Sequence, residues 1–252
     1  MSALPGRVER RLTEELRGGP LHFTLIDPEK SPDGTAVAVA RAAVALGTHA
    51  ILLGGSTGIS PDGMGRTAKA VRAAVDVPVV IFPEGPGSLS GEADAVLFMS
   101  LLNSRRLDLV IRAHALAAPA VRSLGLEPIP MGYLVIAPGM RVGEVGEADL
   151  VARTDAAGAA GYALAAQYLG MRFVYLEAGS GAPSPVPAAL VQAVRSAVEI
   201  PVIVGGGIRS GRDAAPLLAA GANVLVTGSV TEEEGVDGGL RSVLDEVRRA
   251  RH

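Results

Sequence analysis

The chain has 252 residues, 48% of them hydrophobic, with 23 basic and 26 acidic residues and a net charge of -3. That near-balance, with no basic stripe, excludes the electrostatic footprint of a nucleic-acid binder. The absence of cysteine excludes a disulfide framework, thiolate chemistry and a Cys-ligated metal. The N-terminus, MSALPGRVERRLTEELRGG, is charged and amphipathic and lacks the apolar centre of a signal peptide. No stretch approaches the roughly 20 apolar residues that span a bilayer. A soluble, cytoplasmic protein with no transmembrane segment is expected.

In chain order, a first helix at about 6–17 precedes a series of short apolar runs. Strands are predicted at 21–26 (LHFTLI), 50–53 (AILL), 78–82 (PVVIF), 95–99 (AVLFM), 131–136 (MGYLVI), 172–176 (RFVYL), 201–204 (PVIV) and 223–227 (NVLVT). They are rich in Val, Ile and Leu and continuous rather than alternating, as parallel strands buried on both faces are. Ala-rich helical stretches separate most of them, at 35–47, 66–75, 104–124, 147–169, 187–198, 210–220 and 237–251. Eight strand–helix units without a linker predict one domain, residues 1–252, folded as an α/β (β/α)₈ TIM barrel.

One unit breaks the pattern. Between the third and fourth strands lies PEGPGSLSGEADA, too short and too rich in Gly and Pro for a crossover helix. A missing or replaced third helix at 83–93 leaves either a gap in the barrel wall, with apolar surface exposed, or an extended strap packed over it. Phe98 and Met99 stand beside this segment at the end of strand four.

Sites in such barrels are built from the loops after the strands. Three loops bring Gly or Ser together: YLEAGSGAP (Tyr175 to Pro183), GGGIRSG (Gly205 to Gly211) and TGSV (Thr227 to Val230). These glycines either form tight turns or let backbone N–H groups grip a phosphate, as anion sites at helix N-termini do. Asp27, after strand one, and Ser56 and Thr57, on the Gly-rich turn after strand two, supply oxygen ligands suited to a hard cation such as Mg²⁺. For Asp27 the alternative is a helix N-cap before the Pro28 turn. Glu177 is a carboxylate at the mouth that could take a proton from a hydroxyl. His22 and His49 read as strand-flanking residues and His114 as helix surface. Lys30 and Arg209 stand close enough to the mouth to meet a phosphate or to remain solvated.

HFTLIDPEK, ILLGGSTG, FMSLLNSR, GYLVIAPG, VYLEAGSG, VIVGGGIRSG and VLVTGSV, in this order from about 21 to 230, together resemble the geranylgeranylglyceryl phosphate synthase family, which includes bacterial heptaprenylglyceryl phosphate synthases. TLIDP resembles the archaeal-type branch. The resemblance implies a Mg²⁺-dependent prenyltransferase that joins a prenyl diphosphate, geranylgeranyl diphosphate in that branch, to the C3 hydroxyl of sn-glycerol 1-phosphate. This forms the first ether bond of archaeal-type membrane lipids and releases diphosphate. By the same resemblance Asp27 and Ser56 hold Mg²⁺. Tyr175, Leu176, Glu177, Ala178, Gly179, Ser180, Gly181, Gly206, Gly207, Gly228 and Ser229 bind glycerol phosphate, and Glu177 orients or deprotonates the attacking hydroxyl. A replaced third helix with the prenyl chain in the resulting groove, and a homo-oligomer (dimer or hexamer), are also implied. The sequence departs from the family at Glu144, where many relatives carry a bulky aromatic, and at Ser229, where Asn or Thr is common.

Two other readings compete. A sugar-phosphate isomerase or aldolase would need a Lys or an Asp pair inside the barrel, and no Lys lies within the eight strands. A non-catalytic prenyl- or phosphate-binding barrel would be favoured by loss of Asp27 or Glu177, and both are present.

Overall fold

The short Val/Ile/Leu runs pair in chain order. In a computed structural model that describes residues 4–31, 33–55, 60–228 and 236–251, they close into one parallel barrel, each strand beside the next and β8 beside β1. The strands are β1 (Leu21–Ile26), β2 (Ala50–Leu53), β3 (Val79–Ile81), β4 (Ala95–Leu101), β5 (Glu127–Val135), β6 (Phe173–Glu177), β7 (Val202–Gly205) and β8 (Val224–Thr227). The helices are α1 (Arg7–Leu16), α2 (Asp33–Leu46), α3 (Pro61–Arg72), α4 (Ala113–Ser123), α5 (Met140–Val145), α6 (Ala156–Tyr168), α7 (Ala188–Ala197), α8 (Gly211–Ala219) and α9 (Arg241–Ala250). No helix among the described residues is long and apolar enough to cross a membrane.

Strand alternation divides the apolar side chains between two layers. Leu21, Phe23, Leu52, Leu97, Met131 and Ile203 fill the barrel interior. Their neighbours, such as Ile26, Leu53, Ile81, Leu134 and Val204, face outward beneath the helices. The lower end is closed by α1, whose Val8 and Leu12 join the interior cluster. Its first N–H groups, on Val8 and Glu9, donate to the Glu127 carboxylate at 2.8 Å each. Glu9 also pairs with Arg172, just ahead of β6. α1 therefore covers the end of the barrel opposite the strand C-termini.

The structure corrects several boundaries. β5 starts at Glu127, four residues before the predicted strand, despite Pro128 and Pro130. Being two apart, both prolines withhold their N–H from the same neighbour. Pro130 accepts from Arg172 on the β6 side, while pairing with β4 continues from Glu127 to Tyr133. The predicted helix 147–169 begins only at Ala156, because Val151 bridges to Ile136 and Asp155 caps α6 by accepting the Gly158 N–H. The helix predicted from 104 begins with a π-helical turn at Asp108. Before it, the Asn103 amide donates to the carbonyls of Val135 and Asp149 and pins the corner.

The third crossover helix is absent. Residues 83–93 contain only a 3₁₀ turn at Pro86–Ser88. The segment packs as a strap through buried Leu89 and Ala93, which join the outer core of the β1–β4 half. It also leaves a groove, so both sequence alternatives hold at once.

Candidate active site

β6 carries its side chains inward at Phe173, Tyr175 and Glu177, which sets a carboxylate on top of a buried tyrosine. In the register of β5 with β6, Tyr133 lies opposite Tyr175 and Val135 opposite Glu177. The two tyrosine rings are 4.9 Å apart, and Phe82, just after β3, meets both edge-on at 5.8 and 6.0 Å. With only four Tyr and four Phe in the chain, three of the eight are concentrated in the floor beneath one carboxylate.

That carboxylate is 6% exposed. Oε1 accepts the Gly179 N–H at 2.6 Å and Oε2 accepts the Tyr133 hydroxyl at 3.0 Å. Burial pushes the Glu177 carboxyl above its ordinary range, and the hydrogen bonds from Gly179, Tyr133 and Tyr175 pull the other way. Burial and then the neighbouring Glu177 charge hold both tyrosines well above the usual phenol range, so they remain neutral donors. A partly desolvated carboxylate held by donors on fixed strands is suited to accept a proton.

The glycines after β7 have a reason within the protein. A Cβ on Gly205 would lie 1.9 Å from the Tyr175 hydroxyl. Gly206 has φ +80, and a Cβ there would stand 2.3 Å from Glu177 Oε1 and 2.6 Å from the Gly179 nitrogen. Close approach of the β7 loop to the β6 loop therefore demands glycine, as the tight-turn reading held. The same lack of side chains also leaves Gly206 beside Glu177 at the mouth.

Asp27 is 5% exposed at the end of β1. Its Oδ1 accepts the Glu29 N–H at 3.0 Å and its Oδ2 lies 3.8 Å from Lys30 Nζ. The helix N-cap alternative is not met: Asp27 closes a turn with Glu29, and α2 begins only at Asp33. Ser56, Thr57 and Ser229 lie outside the described residues, so the expected pairing of Asp27 with Ser56 has no geometry here. Among the described residues no three His, Cys, Asp or Glu side chains gather as a metal cage. A carboxylate such as Asp27 is instead the kind of donor Mg²⁺ uses when waters and substrate phosphates complete its shell.

The remaining expected site residues divide. Glu177, Ser180 and Gly228 border one cavity together with Asp27 and Lys30. Leu176 and Ala178 turn their side chains outward into the helix-facing core, so only their backbones reach the loop. Tyr175 is 1% exposed and forms the floor. Gly179, Gly181 and Gly207 all have positive φ and shape the loops around Glu177. Arg209 is half-buried and engaged by its own protein: its guanidinium donates to the carbonyls of Ala182 and Gly181 at 2.8 and 3.3 Å.

The cavity has a volume of about 270 Å³ and runs from this mouth into the gap beside the strap. Past Asp27 and Glu177 its walls become apolar, with Leu89, Phe98, Met99, Ala117 and Val121. Phe98 belongs with the outer layer and Met99 with the inner one, yet both border the cavity because it crosses the barrel wall. His114, read as helix surface, is corrected: it is half-buried in this wall. Its Nε2 is 2.7 Å from the Met99 carbonyl and its ring is edge-on to Phe98 at 4.8 Å. His22 is fully buried on the outer face, between Thr48 and Thr227 at 2.9 Å each. Sequence reasoning missed Tyr133 and Phe82. Their signal was the placement of rare aromatics at strand ends.

A family model described as the PcrB family matches residues 10–249. A geranylgeranylglyceryl phosphate synthase of Pyrococcus furiosus is 46% identical over 244 residues, 97% of each chain. That of Methanothrix thermoacetophila is 50% identical over 218 residues, 86% of each chain. The crystal structure of (S)-3-O-geranylgeranylglyceryl phosphate synthase from Thermoplasma acidophilum, in complex with its substrate sn-glycerol-1-phosphate, superposes with a TM-score of 0.93 at 42% identity. That match covers 98% of this chain and 100% of the other.

Proposed function

From the premise that the chain belongs to the PcrB family, together with the geranylgeranylglyceryl phosphate synthases it matches, we propose that it is a prenyltransferase joining a prenyl diphosphate to the C3 hydroxyl of sn-glycerol 1-phosphate. The observation that carries this reading is one cavity that joins a polar mouth, with Asp27 and Glu177, to an apolar groove where a barrel helix should be. A long hydrocarbon tail and a phosphorylated head need those two environments side by side.

The acceptor lies among the loops after β6, β7 and β8, with its C3 hydroxyl directed at Glu177. The hydroxyl oxygen bonds to C1 of the prenyl group as the bond from C1 to the diphosphate oxygen breaks. The electron pair leaves with diphosphate and the hydroxyl proton passes to Glu177. Glu177 is held for this by Tyr133 and Gly179, and general-base assistance of this kind contributes about 10²–10⁴-fold. Mg²⁺, when bound at Asp27, supplies charge neutralisation to the leaving diphosphate. The apolar walls around Phe98 and Met99 keep water from the allylic centre. The donor is geranylgeranyl diphosphate by analogy with the named relatives. The enzyme works in the cytoplasm on two phosphorylated substrates. It is a homo-oligomer, dimer or hexamer, supported by exposed Leu116, Tyr168 and Leu169 on its helical surface; Glu144 on α5 is exposed as well.

The test is incubation of the purified protein with Mg²⁺, labelled sn-glycerol 1-phosphate and a panel of prenyl diphosphates, with product identification. A prenylglyceryl phosphate ether is expected with a long donor. Hydrolysis of the donor without ether formation, or no product with any donor, rejects the reading.

A further inference from the structure

Two phosphorylated substrates in one mouth bring several negative charges, and the cations available to meet them can be assigned one by one. Lys30 is paired with Asp27. Arg209 holds the carbonyls of the β6 loop, and Arg153 bridges the carbonyls of Ala137 and Pro185. Arg141 borders the same cavity as Asp27, Glu177 and Ser180, and among the described residues no hydrogen bond or ion pair engages its guanidinium.

The backbone that presents Arg141 is held firmly. Gly139 and Met140, the two residues ahead of it, have φ of +70 and +49. A left-handed methionine is uncommon and persists only where the surroundings enforce it. Here the enforcement is visible: the Gly139 N–H donates to the Ala178 carbonyl at 3.1 Å. A Cβ on Gly179 would lie 2.6 Å from the Met140 side chain and from the Gly139 carbonyl. The turn carrying Arg141 is thus packed against the loop that holds Glu177.

We propose that Arg141 is a substrate-binding residue, whose guanidinium receives phosphate oxygens of a substrate at the mouth. This rests on the prenyltransferase reading for the identity of its ligand. Its planar fork matches a phosphate bidentately, which an ammonium group cannot reproduce. The acceptor phosphate and the donor diphosphate share this chemistry, and kinetics tell them apart.

The test compares wild type with Arg141→Ala and Arg141→Lys. A rise of about 10- to 100-fold in KM for one of the two substrates is expected in Arg141→Ala. The change in kcat should be smaller and the other KM nearly constant, with partial recovery in Arg141→Lys. A rise for sn-glycerol 1-phosphate assigns the residue to the acceptor, and a rise for the prenyl diphosphate assigns it to the donor. Binding of inorganic pyrophosphate and of glycerol 1-phosphate by calorimetry gives a second readout that needs no turnover. It separates failure of this proposal from failure of the proposed reaction. Unchanged KM values for both substrates, or unchanged affinity for both anions in a folded Arg141→Ala protein, overturn it.

Discussion

Glu177 combines two opposing pressures, and a pH profile can separate them. Burial raises its pKa, so the ionised form needed for proton acceptance is lost at a higher pH than for an ordinary carboxylate. The acid limb of kcat against pH should therefore lie above the usual carboxylate range. Tyr133→Phe removes a donor that favours the charged form, so the limb should move to still higher pH. Glu177→Gln should lower kcat by about 10²-fold or more. An acid limb that stays in place in Tyr133→Phe would show that another group titrates. Asp27→Asn should lower activity at limiting Mg²⁺, with partial recovery when Mg²⁺ is raised. Full activity at low Mg²⁺ would leave Asp27 only its turn with Glu29. Gly206→Val would not remove phosphate binding alone. Its Cβ would meet Glu177 Oε1 at 2.3 Å from a backbone at φ +80, so the variant would disturb the base and the loop as well as the ligand.

At the scale of elements, the strap and α4 decide what the groove can hold. Leu89 on the strap, Phe98 on β4 and Ala117 and Val121 on α4 form its apolar walls. Each buried methylene of a donor contributes about 0.8 kcal/mol, so donor affinity should rise with chain length until a wall ends the groove. Ala117→Phe fills space beside the strap. Its expected effect is a rise in KM of about 10-fold for the long donor, equivalent to two methylenes displaced, with little change for a short one. Equal effects on short and long donors would mean that the tail does not run past Ala117. The Gly- and Pro-rich composition of 83–93 made the missing helix legible in advance. It left open whether the segment packs or gapes, because that depends on Leu89 and Ala93 finding the outer core while the residues between them do not.

Over the whole molecule, stability should carry the mark of a buried histidine. His22 is held neutral inside the fold, its pKa lowered to about 3 by burial and then by the charge of His49. In the unfolded chain it takes up a proton near its ordinary value of 6.5. The unfolded state then binds more protons between those limits, and stability falls as pH drops from 6.5 toward 3, by at most about 1.4 kcal/mol per pH unit. Urea unfolding at pH 7 and pH 5 should show a loss in wild type that is smaller by about 1–2 kcal/mol in His22→Gln. Identical losses would remove His22 as the cause.

The sequence by itself determined the barrel, its strand order and the end at which a site must lie. Continuous Val/Ile/Leu runs can be satisfied only by burial on two faces, and helices between parallel strands leave few ways to close. It also marked Asp27 and Glu177, because a carboxylate at a strand end in an apolar chain has few structural uses. Only the tertiary structure decided what surrounds them. Tyr133 on β5, Tyr175 on β6 and Phe82 just after β3 meet beneath Glu177 through the pairing of distant segments, which no local pattern encodes. Arg141 and Arg209 look alike as loop arginines in the sequence. Their difference, one engaged by the carbonyls of its own protein and the other exposed at the border of the cavity, comes from which backbone groups the closed barrel brings within hydrogen-bond reach.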